Sequence, residues 1–404
     1  MPVGLSAPVE LHPVPGIRLG IASAGIKKPG RRDLVLMELA VGSTCAAVFT
    51  RNAFCAAPVI VARAHLDAAT PRYLLINTGN ANAGTGEPGL RDARRCCANL
   101  ARQMGCNETE VLPFSTGVIG EPLAVEKIEA ALPAAQAALD AENWIAAANG
   151  IMTTDTIAKG ASRQLEIEGK SITLTGIAKG AGMIRPDMAT MLSYIATDAA
   201  LPQALLHRAL VDAVNASFNR ITVDGDTSTN DSCVLVATGV SGVSISADSA
   251  AYTAFSAALT ALCIELAQAI VRDGEGATKF ITIEVAEGRD VSECLQVAYT
   301  IAHSPLVKTA LFASDPNWGR ILAAVGRAGL DNLVLEQVRV YLGSVCIVSA
   351  GSRDPAYTEA AGAAVMREEE ILIRVLLGRG TASERIWTTD FSYDYVKINA
   401  EYRT

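Results

Sequence analysis

The sequence contains few of the residues that most enzymes use as catalytic bases. Its 404 residues include four histidines, His12, His65, His207 and His303, which lie far apart and lack the spacing of a metal site. Nothing in the sequence supports a histidine-based catalytic triad. We therefore expect each histidine to be a surface or structural residue.

Charge and cysteine content exclude further classes of protein. Charged residues make up 19% of the chain without a long acidic or basic block, and the net charge of −8 gives no reason to expect a nucleic-acid or membrane-surface partner. The nine cysteines form no Cys-x-x-Cys pair, which favours a reduced, intracellular protein. We find neither a signal-peptide pattern nor a run of 18 apolar residues, and so predict a cytoplasmic protein without a membrane span.

Three common nucleotide-binding and hydrolase motifs are also missing. Gly180-Ala-Gly182 is followed by Met, Ile, Arg and Pro and not by the rest of a dinucleotide-binding G-x-G-x-x-G turn. Residues 274–279 resemble a phosphate-binding loop in composition but lack its Gly-Lys-Ser/Thr ending, and no G-x-S-x-G elbow occurs. The motifs therefore predict neither a Rossmann fold, nor a P-loop, nor an α/β-hydrolase.

The remaining pattern mixes strands with helices. Short β-branched or alternating runs predict strands at 73–77, 171–177, 233–238 and 280–285, and a hairpin of 338–342 and 345–348 turning at Gly343-Ser344. Apolar residues at helical spacing predict helices at 90–104, from Pro202 to 214, at 250–271, and from Asp354-Pro355 to about 369. This mixture of strands and helices predicts an α/β protein. We find no internal repeat or linker that divides the chain.

Two polar loops lie directly beside apolar strands. Residues 77–86 and 222–231 are built from Gly, Asn, Asp and Thr. Such residues supply positive-φ turns and local side-chain hydrogen bonds. On residue types alone, ordinary tight turns are the expected role of both loops.

Residues 179–192 carry the most informative pattern. Thr190 directly follows Ala189, at the end of a loop marked by glycine and proline and at the start of an apolar run. If the peptide bond before it breaks, Thr190 becomes an N-terminal threonine with a hydroxyl nucleophile. Its α-amine, with an ordinary pKa of about 7.7–8.0, is then the base. The scarcity of histidines favours an enzyme whose base is a chain terminus.

Segments along nearly the whole chain carry a family resemblance. They lie at 24–28, 32–34, 77–82, 115–120, 152–156, 179–192, 222–231, 273–279, 314–320 and 395–404. Any one of them alone would be weak, but in this order they are highly specific. The chain resembles the ornithine acetyltransferase family of arginine biosynthesis.

The resemblance implies a fold and a self-processing event. The fold is α/β, with stacked sheets enclosed by helices and an arrangement that is not Rossmann. Cleavage between Ala189 and Thr190 yields an N-terminal (alpha) chain, 1–189, and a C-terminal (beta) chain, 190–404. The two chains are expected to form one intertwined core and to associate as a heterotetramer of two of each.

The resemblance also implies a reaction. The enzyme moves the acetyl group of N2-acetylornithine to glutamate through an acetyl-threonine intermediate. Many members also use acetyl-CoA, and the motifs leave open whether this chain does. No cofactor or metal is implied.

Site residues follow from the same resemblance. Thr190 is the nucleophile, and Thr116 and Gly117 form an oxyanion hole from one hydroxyl and one backbone N–H. Lys179 suits an α-carboxylate, and Glu275 suits an ammonium group such as that of ornithine. The substrate contacts that carry over are Thr153, Lys179, Thr190, Glu275, Asn399 and Thr404. Thr153 and its neighbour Thr154 cannot be told apart by sequence.

Two other interpretations stay open at this point. A self-processing aminopeptidase of related fold would use the same amine and hydroxyl chemistry but would hydrolyse peptides, without need of a matched Lys179 and Glu275. A non-catalytic scaffold or amino-acid-binding protein would keep an intact chain and transfer no acetyl group.

Overall fold

The computed structural model describes residues 2–185 and 191–401. The chain forms two compact units. The larger unit contains residues 6–219 and 226–270, and the smaller contains residues up to 5, residues 220–225 and those from 271 onward. Each unit combines helices with β-sheet, as the mixed pattern of the sequence predicts.

The larger unit contains two β-sheets. Its strands are β1 (Ile17–Ala22), β2 (Leu34–Leu39), β3 (Thr44–Phe49), β4 (Tyr73–Asn80), β5 (Val111–Val118), β6 (Lys159–Ile167), β7 (Lys170–Lys179), β8 (Leu192–Thr197) and β9 (Ser232–Ala237). One sheet has the order β1-β2-β4-β5 and the other the order β3-β9-β8-β7-β6. The β4–β5 and β8–β9 pairs run parallel, whereas the other described pairs are antiparallel. Neither sheet is therefore the parallel sheet of a Rossmann fold.

The two sheets stack face to face. One apolar cluster contains side chains of both sheets. Within it the rings of Phe114 on β5 and Tyr194 on β8 meet edge to face, with centroids 5.3 Å apart. Fully burying a large apolar side chain contributes about 1.5–3 kcal/mol, so this shared layer holds the sheets together.

Helices surround the stacked sheets. They are α1 (Ala57–Ala68), α2 (Gly86–Met104), α3 (Val125–Ala137), α4 (Trp144–Gly150), α5 (Gln203–Ala216) and α6 (Ala250–Arg272). Of these, α4 packs against both sheets, and its Trp144 belongs to the cluster that the sheets share. Helices α1 to α3 contribute to a second apolar cluster with the four-stranded sheet, and α5 packs against β3 and β9. The expected arrangement, stacked sheets enclosed by helices, is confirmed.

Helix α6 is apolar along much of its length. Among the described helices, it is the one whose length and hydropathy would allow it to cross a membrane. Such a helix was not predicted from the sequence, because only uninterrupted runs of 18 apolar residues were considered. Half of its apolar window is buried inside the protein. Leu262 and Leu266 lie so close to Gly176 of β7 that an added Cβ there would come within 2.9 and 3.1 Å of them. These are the contacts of a core helix.

The smaller unit is built on one six-stranded sheet. Its strands are β10 (Phe280–Gly288), β11 (Arg339–Leu342), β12 (Val345–Ser349), β13 (Ser352–Arg353), β14 (Glu370–Leu376) and β15 (Ala382–Thr389), in the order β13-β12-β11-β14-β10-β15. Its helices are α7 (Val291–Ala302), α8 (Pro305–Phe312), α9 (Trp318–Gly326), α10 (Glu359–Met366) and α11 (Tyr393–Ala400). Side chains of the sheet and of α7 to α9 form its apolar core.

The start of one predicted helix is wrong. The sequence predicts a helix from Asp354-Pro355 to about 369, whereas α10 begins at Glu359 and ends at Met366. The side chain of Thr358 accepts the N–H of Ala361 at 3.3 Å and so caps the helix at a later position. Other local signals are confirmed, including the end of α2 at Gly105, which has a left-handed φ of 67°.

Candidate active site

Thr116 and Gly117 lie near the end of β5, where β5 runs parallel to β4. Gly117 has a φ of +138°, and an added Cβ there would lie 2.3 Å from the carbonyl carbon of Gly79 and 2.5 Å from the nitrogen of Asn80. Only glycine permits so close an approach of the two backbones. The contact fixes the backbone beside Thr116, which is itself buried.

Lys179, the last residue of β7, reaches Thr116 from the other sheet. Its Nζ donates a hydrogen bond to the Oγ1 of Thr116 at 3.2 Å, and both side chains are buried. Because the hydroxyl accepts from an ammonium group, its own hydrogen remains available to a further acceptor. The structure thus brings two of the predicted site residues together.

Asp155 organises the segments around Lys179. Its carboxylate accepts Nζ of Lys159 at 2.7 Å and the backbone N–H groups of Thr153 at 2.9 Å and Gly180 at 2.7 Å. Burial acts to raise the pKa of Asp155, but the charges of Lys159 and Lys179 outweigh it and hold that pKa well below its usual range. The sequence analysis did not single out Asp155, which ties the Thr153 segment to the residue that follows Lys179.

Asp231 is a second buried carboxyl of this region, at the position before β9. Its Oδ2 is fully buried and has no hydrogen-bond partner among the residues that the structure describes. Burial raises the pKa of Asp231 well above its usual range, against the opposing effects of hydrogen bonds from Ser228 and the charge of Lys179. Such a carboxyl favours the protonated form. The only sequence signal for it was its place in the polar loop 222–231.

Replacing Asp231 with asparagine is expected to change how stability depends on pH. The unfolded chain releases the Asp231 proton above about pH 4, whereas the folded chain retains it, so folding becomes less favourable as pH rises. Asp231→Asn removes this pH-dependent contribution. In urea titrations, the free energy of unfolding of the variant should therefore rise relative to that of wild type as the pH increases from 5 to 8. The exposed Asp248→Asn is the control, since no such gain is expected there. A difference that does not vary with pH would contradict the assignment.

Both polar loops turn the chain, and both also contact the strand end that carries Thr116. In 77–86, Asn82 has a left-handed φ of 47° and its N–H bonds the Oδ1 of Asn80 at 2.7 Å, as expected of a tight turn. In 222–231, Asn230 reaches further, because its Nδ2 donates to the carbonyls of Ala81 at 2.5 Å and Ser115 at 2.9 Å. The second loop therefore holds the backbone beside Thr116, in addition to turning the chain.

Glu275 and Asn399, which lie in the smaller unit, contact each other. Nδ2 of Asn399 donates to Oε2 of Glu275 at 2.9 Å, and Glu275 is only 7% exposed. None of the ion pairs formed by the described residues of this unit includes Glu275. Since a buried carboxylate favours a positive partner, this site is suited to a cation.

Two buried charges anchor the segments that carry Glu275 and Asn399. Asp390 accepts the backbone N–H groups of Thr278 at 2.9 Å and Lys279 at 3.0 Å. Nζ of Lys308 donates to Oγ1 of Thr388 at 3.0 Å and to the carbonyl of Thr389. Burial lowers the pKa of Lys308 to about 7, although Asp390 and Asp224 oppose the shift. Sequence reasoning missed this lysine because it lies within a short, otherwise apolar helix.

The remaining predicted residues, Ala189, Thr190 and Thr404, lie outside the described residues. The chain resumes at Met191, whose carbonyl accepts the N–H of Ser232 at 2.9 Å. The next residue, Leu192, begins β8 and pairs with Lys179 of β7 on one side and with Ser232 of β9 on the other. The residue after Thr190 is thus placed between the strand that ends at Lys179 and the strand that Asp231 precedes.

Comparisons with known proteins agree with the resemblance seen in the sequence. The profile of the ArgJ family matches residues 18–404. The chain is 62% identical, over the whole of both sequences, to a Pseudomonas fluorescens protein named arginine biosynthesis bifunctional protein ArgJ. A solved structure of the same name from Bacillus halodurans is 38% identical, covering 50% of this chain and 95% of that one, with a TM-score of 0.48. Ornithine acetyltransferase of Mycobacterium tuberculosis, solved with ornithine, is 32% identical over 44% of this chain and 94% of that one, with a TM-score of 0.38.

Proposed function

The chain belongs to the ArgJ family and is an acetyltransferase of arginine biosynthesis, and we propose that it works through a threonine exposed by its own cleavage. The peptide bond between Ala189 and Thr190 breaks, leaving an alpha chain, 1–189, and a beta chain, 190–404. Strand β7 of the first pairs with β8 of the second, and β3 with β9. Because the fragments share one sheet, they stay associated, and two of each form a heterotetramer.

The reaction proceeds by double displacement. The hydroxyl of Thr190 attacks the acetyl carbonyl of N2-acetylornithine, its proton passes through the α-amine, and the carbon–nitrogen bond breaks to release ornithine. The amine of glutamate then attacks the acetyl-threonine ester, takes the acetyl group and restores the hydroxyl. Acetyl-CoA is a second donor to the same hydroxyl. The chain's own groups supply all of this chemistry without a cofactor or metal.

The contact between Lys179 and Thr116 is the observation that carries this proposal. Cleavage and both transfer steps pass through a tetrahedral intermediate with a negatively charged oxygen. The Thr116 hydroxyl, polarised by Lys179, and the N–H of Gly117 form the oxyanion hole for it. Preorganised donors of this kind stabilise such a charge most when they are buried.

Thr116→Val tests this role, because valine keeps the shape of threonine and removes the hydroxyl. The loss of one preorganised donor typically costs about 2.7–4 kcal/mol, so kcat for acetyl transfer should fall roughly 10²- to 10³-fold. Self-cleavage, followed by gel electrophoresis, should slow as well. Thr116→Ser retains a hydroxyl and should keep most of the activity. A Thr116→Val enzyme that cleaves and transfers at wild-type rates would remove Thr116 from the oxyanion hole.

The charged residues fit an amino-acid substrate. Lys179 binds its α-carboxylate, and the buried Glu275, with Asn399 beside it, binds the ammonium group of an ornithine-type substrate. Thr153 and Thr404 complete the contacts. The 62% identity to the Pseudomonas fluorescens relative, which extends over the whole of both sequences, favours acetyl transfer over peptide hydrolysis and over a non-catalytic binding role.

A cytoplasmic location is part of the same proposal. All nine cysteines are free in the structure, and six of them are buried thiols within the units. Burial raises the pKa of Cys45 and of Cys233 to about 12, which keeps these thiols protonated. Free thiols are typical of proteins of a reducing compartment.

A further inference from the structure

A separate cavity of the larger unit lies among residues that have no assigned role. Its volume is about 450 Å³. The end of β3 and the segment that follows it form one side, and α1 and α5 contribute the rest. The cavity has the size of a small-molecule site.

The lining of this cavity is basic. Arg51, Arg63 and His207 come from three different elements, and none of the described residues that line the cavity is Asp or Glu. In a chain with a net charge of −8, this composition creates a local positive potential that attracts anions. Arginine side chains are especially suited to phosphate, because the guanidinium group donates in a planar fork.

The cavity also offers a flat surface. The guanidinium carbon of Arg63 lies 5.5 Å from the centroid of the Phe49 ring. Aromatic and guanidinium groups bind planar heteroaromatic rings by stacking. The lining therefore suits a ligand that combines phosphate groups with a planar ring.

Hydrogen bonds join this cavity to the proposed active site. Thr50, in the cavity wall, donates its N–H to the carbonyl of Asp231 at 3.0 Å. Asn52 donates to the carbonyl of Thr227 at 2.9 Å, and Thr227 donates its hydroxyl to the carbonyl of Arg185 at 3.0 Å. Arg185 is the last described residue before the segment that contains Thr190. The cavity therefore borders the loop 222–231, which in turn contacts Arg185.

We propose that this basic cavity binds the phosphorylated nucleotide end of the acyl-CoA donor, which rests on the proposed second donor of the reaction. The acetyl thioester then reaches the hydroxyl of Thr190, the carbon–sulfur bond breaks, and the thiol of CoA leaves with a proton. The product is the same acetyl-threonine that N2-acetylornithine forms. Since N2-acetylornithine carries no phosphate, it does not use the cavity.

This difference between the two donors gives the test. Arg51→Ala with Arg63→Ala should raise the KM for acetyl-CoA roughly 10²- to 10⁴-fold, because two bonds to charged groups are lost and each is worth roughly 10- to 100-fold. The KM for N2-acetylornithine should stay at the wild-type value. The matched control replaces Arg91 and Arg94, two exposed arginines of α2, and should change neither KM. Arg51→Lys with Arg63→Lys should restore part of the affinity for acetyl-CoA.

Binding of adenosine 3′,5′-bisphosphate, measured by calorimetry, tests the cavity independently of any reaction. Wild type should bind it, the double alanine variant should bind it at least tenfold more weakly, and the ligand should protect Cys55 in the cavity wall from alkylation at pH 8.5. The more remote Cys106 should stay unprotected. If wild type binds neither this ligand nor CoA, or if the double variant impairs both donors equally, the cavity is not the nucleotide site. Acetyl transfer from N2-acetylornithine would then still support the threonine mechanism.

Discussion

Replacing Thr190 with alanine is expected to leave the chain in one piece and to lower acetyl transfer by roughly 10⁴- to 10⁶-fold, the usual effect of removing a covalent nucleophile. Both losses have the same cause. The hydroxyl that attacks its own preceding carbonyl during cleavage later attacks the acetyl carbonyl, and the α-amine that serves as base exists only after cleavage. Denaturing gel electrophoresis and a coupled assay for ornithine release measure the two effects separately.

Thr190→Ser separates the role of the hydroxyl from that of the methyl group. Serine supplies the same nucleophile and the same amine, so this variant should still cleave and should retain measurable transfer. Thr253→Ala, on the exposed side of α6, is the matched control and should behave as wild type. An alanine variant at 190 with wild-type activity would rule out the threonine as nucleophile.

Breaking the ion pair of Asp155 and Lys159 is expected to cause the largest loss of stability. Both side chains are fully buried, with Nζ of Lys159 2.7 Å from Oδ1 of Asp155. Lys159→Met leaves a buried carboxylate without its partner, which typically costs about 3–5 kcal/mol. Urea unfolding in a Thr190→Ala background, where the chain remains whole, measures the loss.

The pH dependence of this loss follows from the pKa of Asp155. The wild-type pair contributes stability above the unfolded-state pKa of about 4, and the contribution is lost only as pH falls through the lower folded-state pKa. In Lys159→Met the unpaired carboxyl of Asp155 can take up a proton instead. The difference in stability between this variant and wild type should therefore shrink as pH falls towards 4. Arg163→Met breaks the exposed pair with Glu265 and should cost about 1 kcal/mol or less. A Lys159→Met variant as stable as this control would contradict the account.

Asp155 has a functional consequence beyond stability. It bonds the backbone of Thr153, a proposed substrate contact, and of Gly180, which directly follows another, Lys179. Asp155→Asn keeps the shape of the side chain but removes the charge that pairs with Lys159. Combined with Lys159→Met in a double-mutant cycle, it should show that the two single losses are strongly non-additive.

Local signals in the sequence predicted the local elements well. The alternating pattern of 280–285 became β10, in which buried and half-buried positions alternate, and the apolar stripe of 90–104 became part of α2, ending at Gly105. Both depend on residues within a few positions of each other. Periodicity and end signals report such elements directly.

Burial of charged residues could not be predicted from the sequence. Asp155 and Lys159 stand four residues apart, a spacing that is usual for solvated pairs on a helix surface. In the fold they are covered by chain that is distant in sequence, including the end of β7. Lys308 and Asp231 are similar cases, since their environment depends on which elements pack over them. The 63-residue separation of Thr116 and Lys179 likewise gives no sign of their contact; only the family resemblance pointed to both.

Intact-mass spectrometry of the purified wild-type protein, before and after brief incubation with N2-acetylornithine, tests the central claim most directly. The account predicts two fragments, one ending at Ala189 and one beginning at Thr190, and the second fragment should gain the mass of one acetyl group. Addition of glutamate should then remove that mass. A single uncut and unmodified chain from protein that is active in acetyl transfer would contradict the N-terminal threonine mechanism.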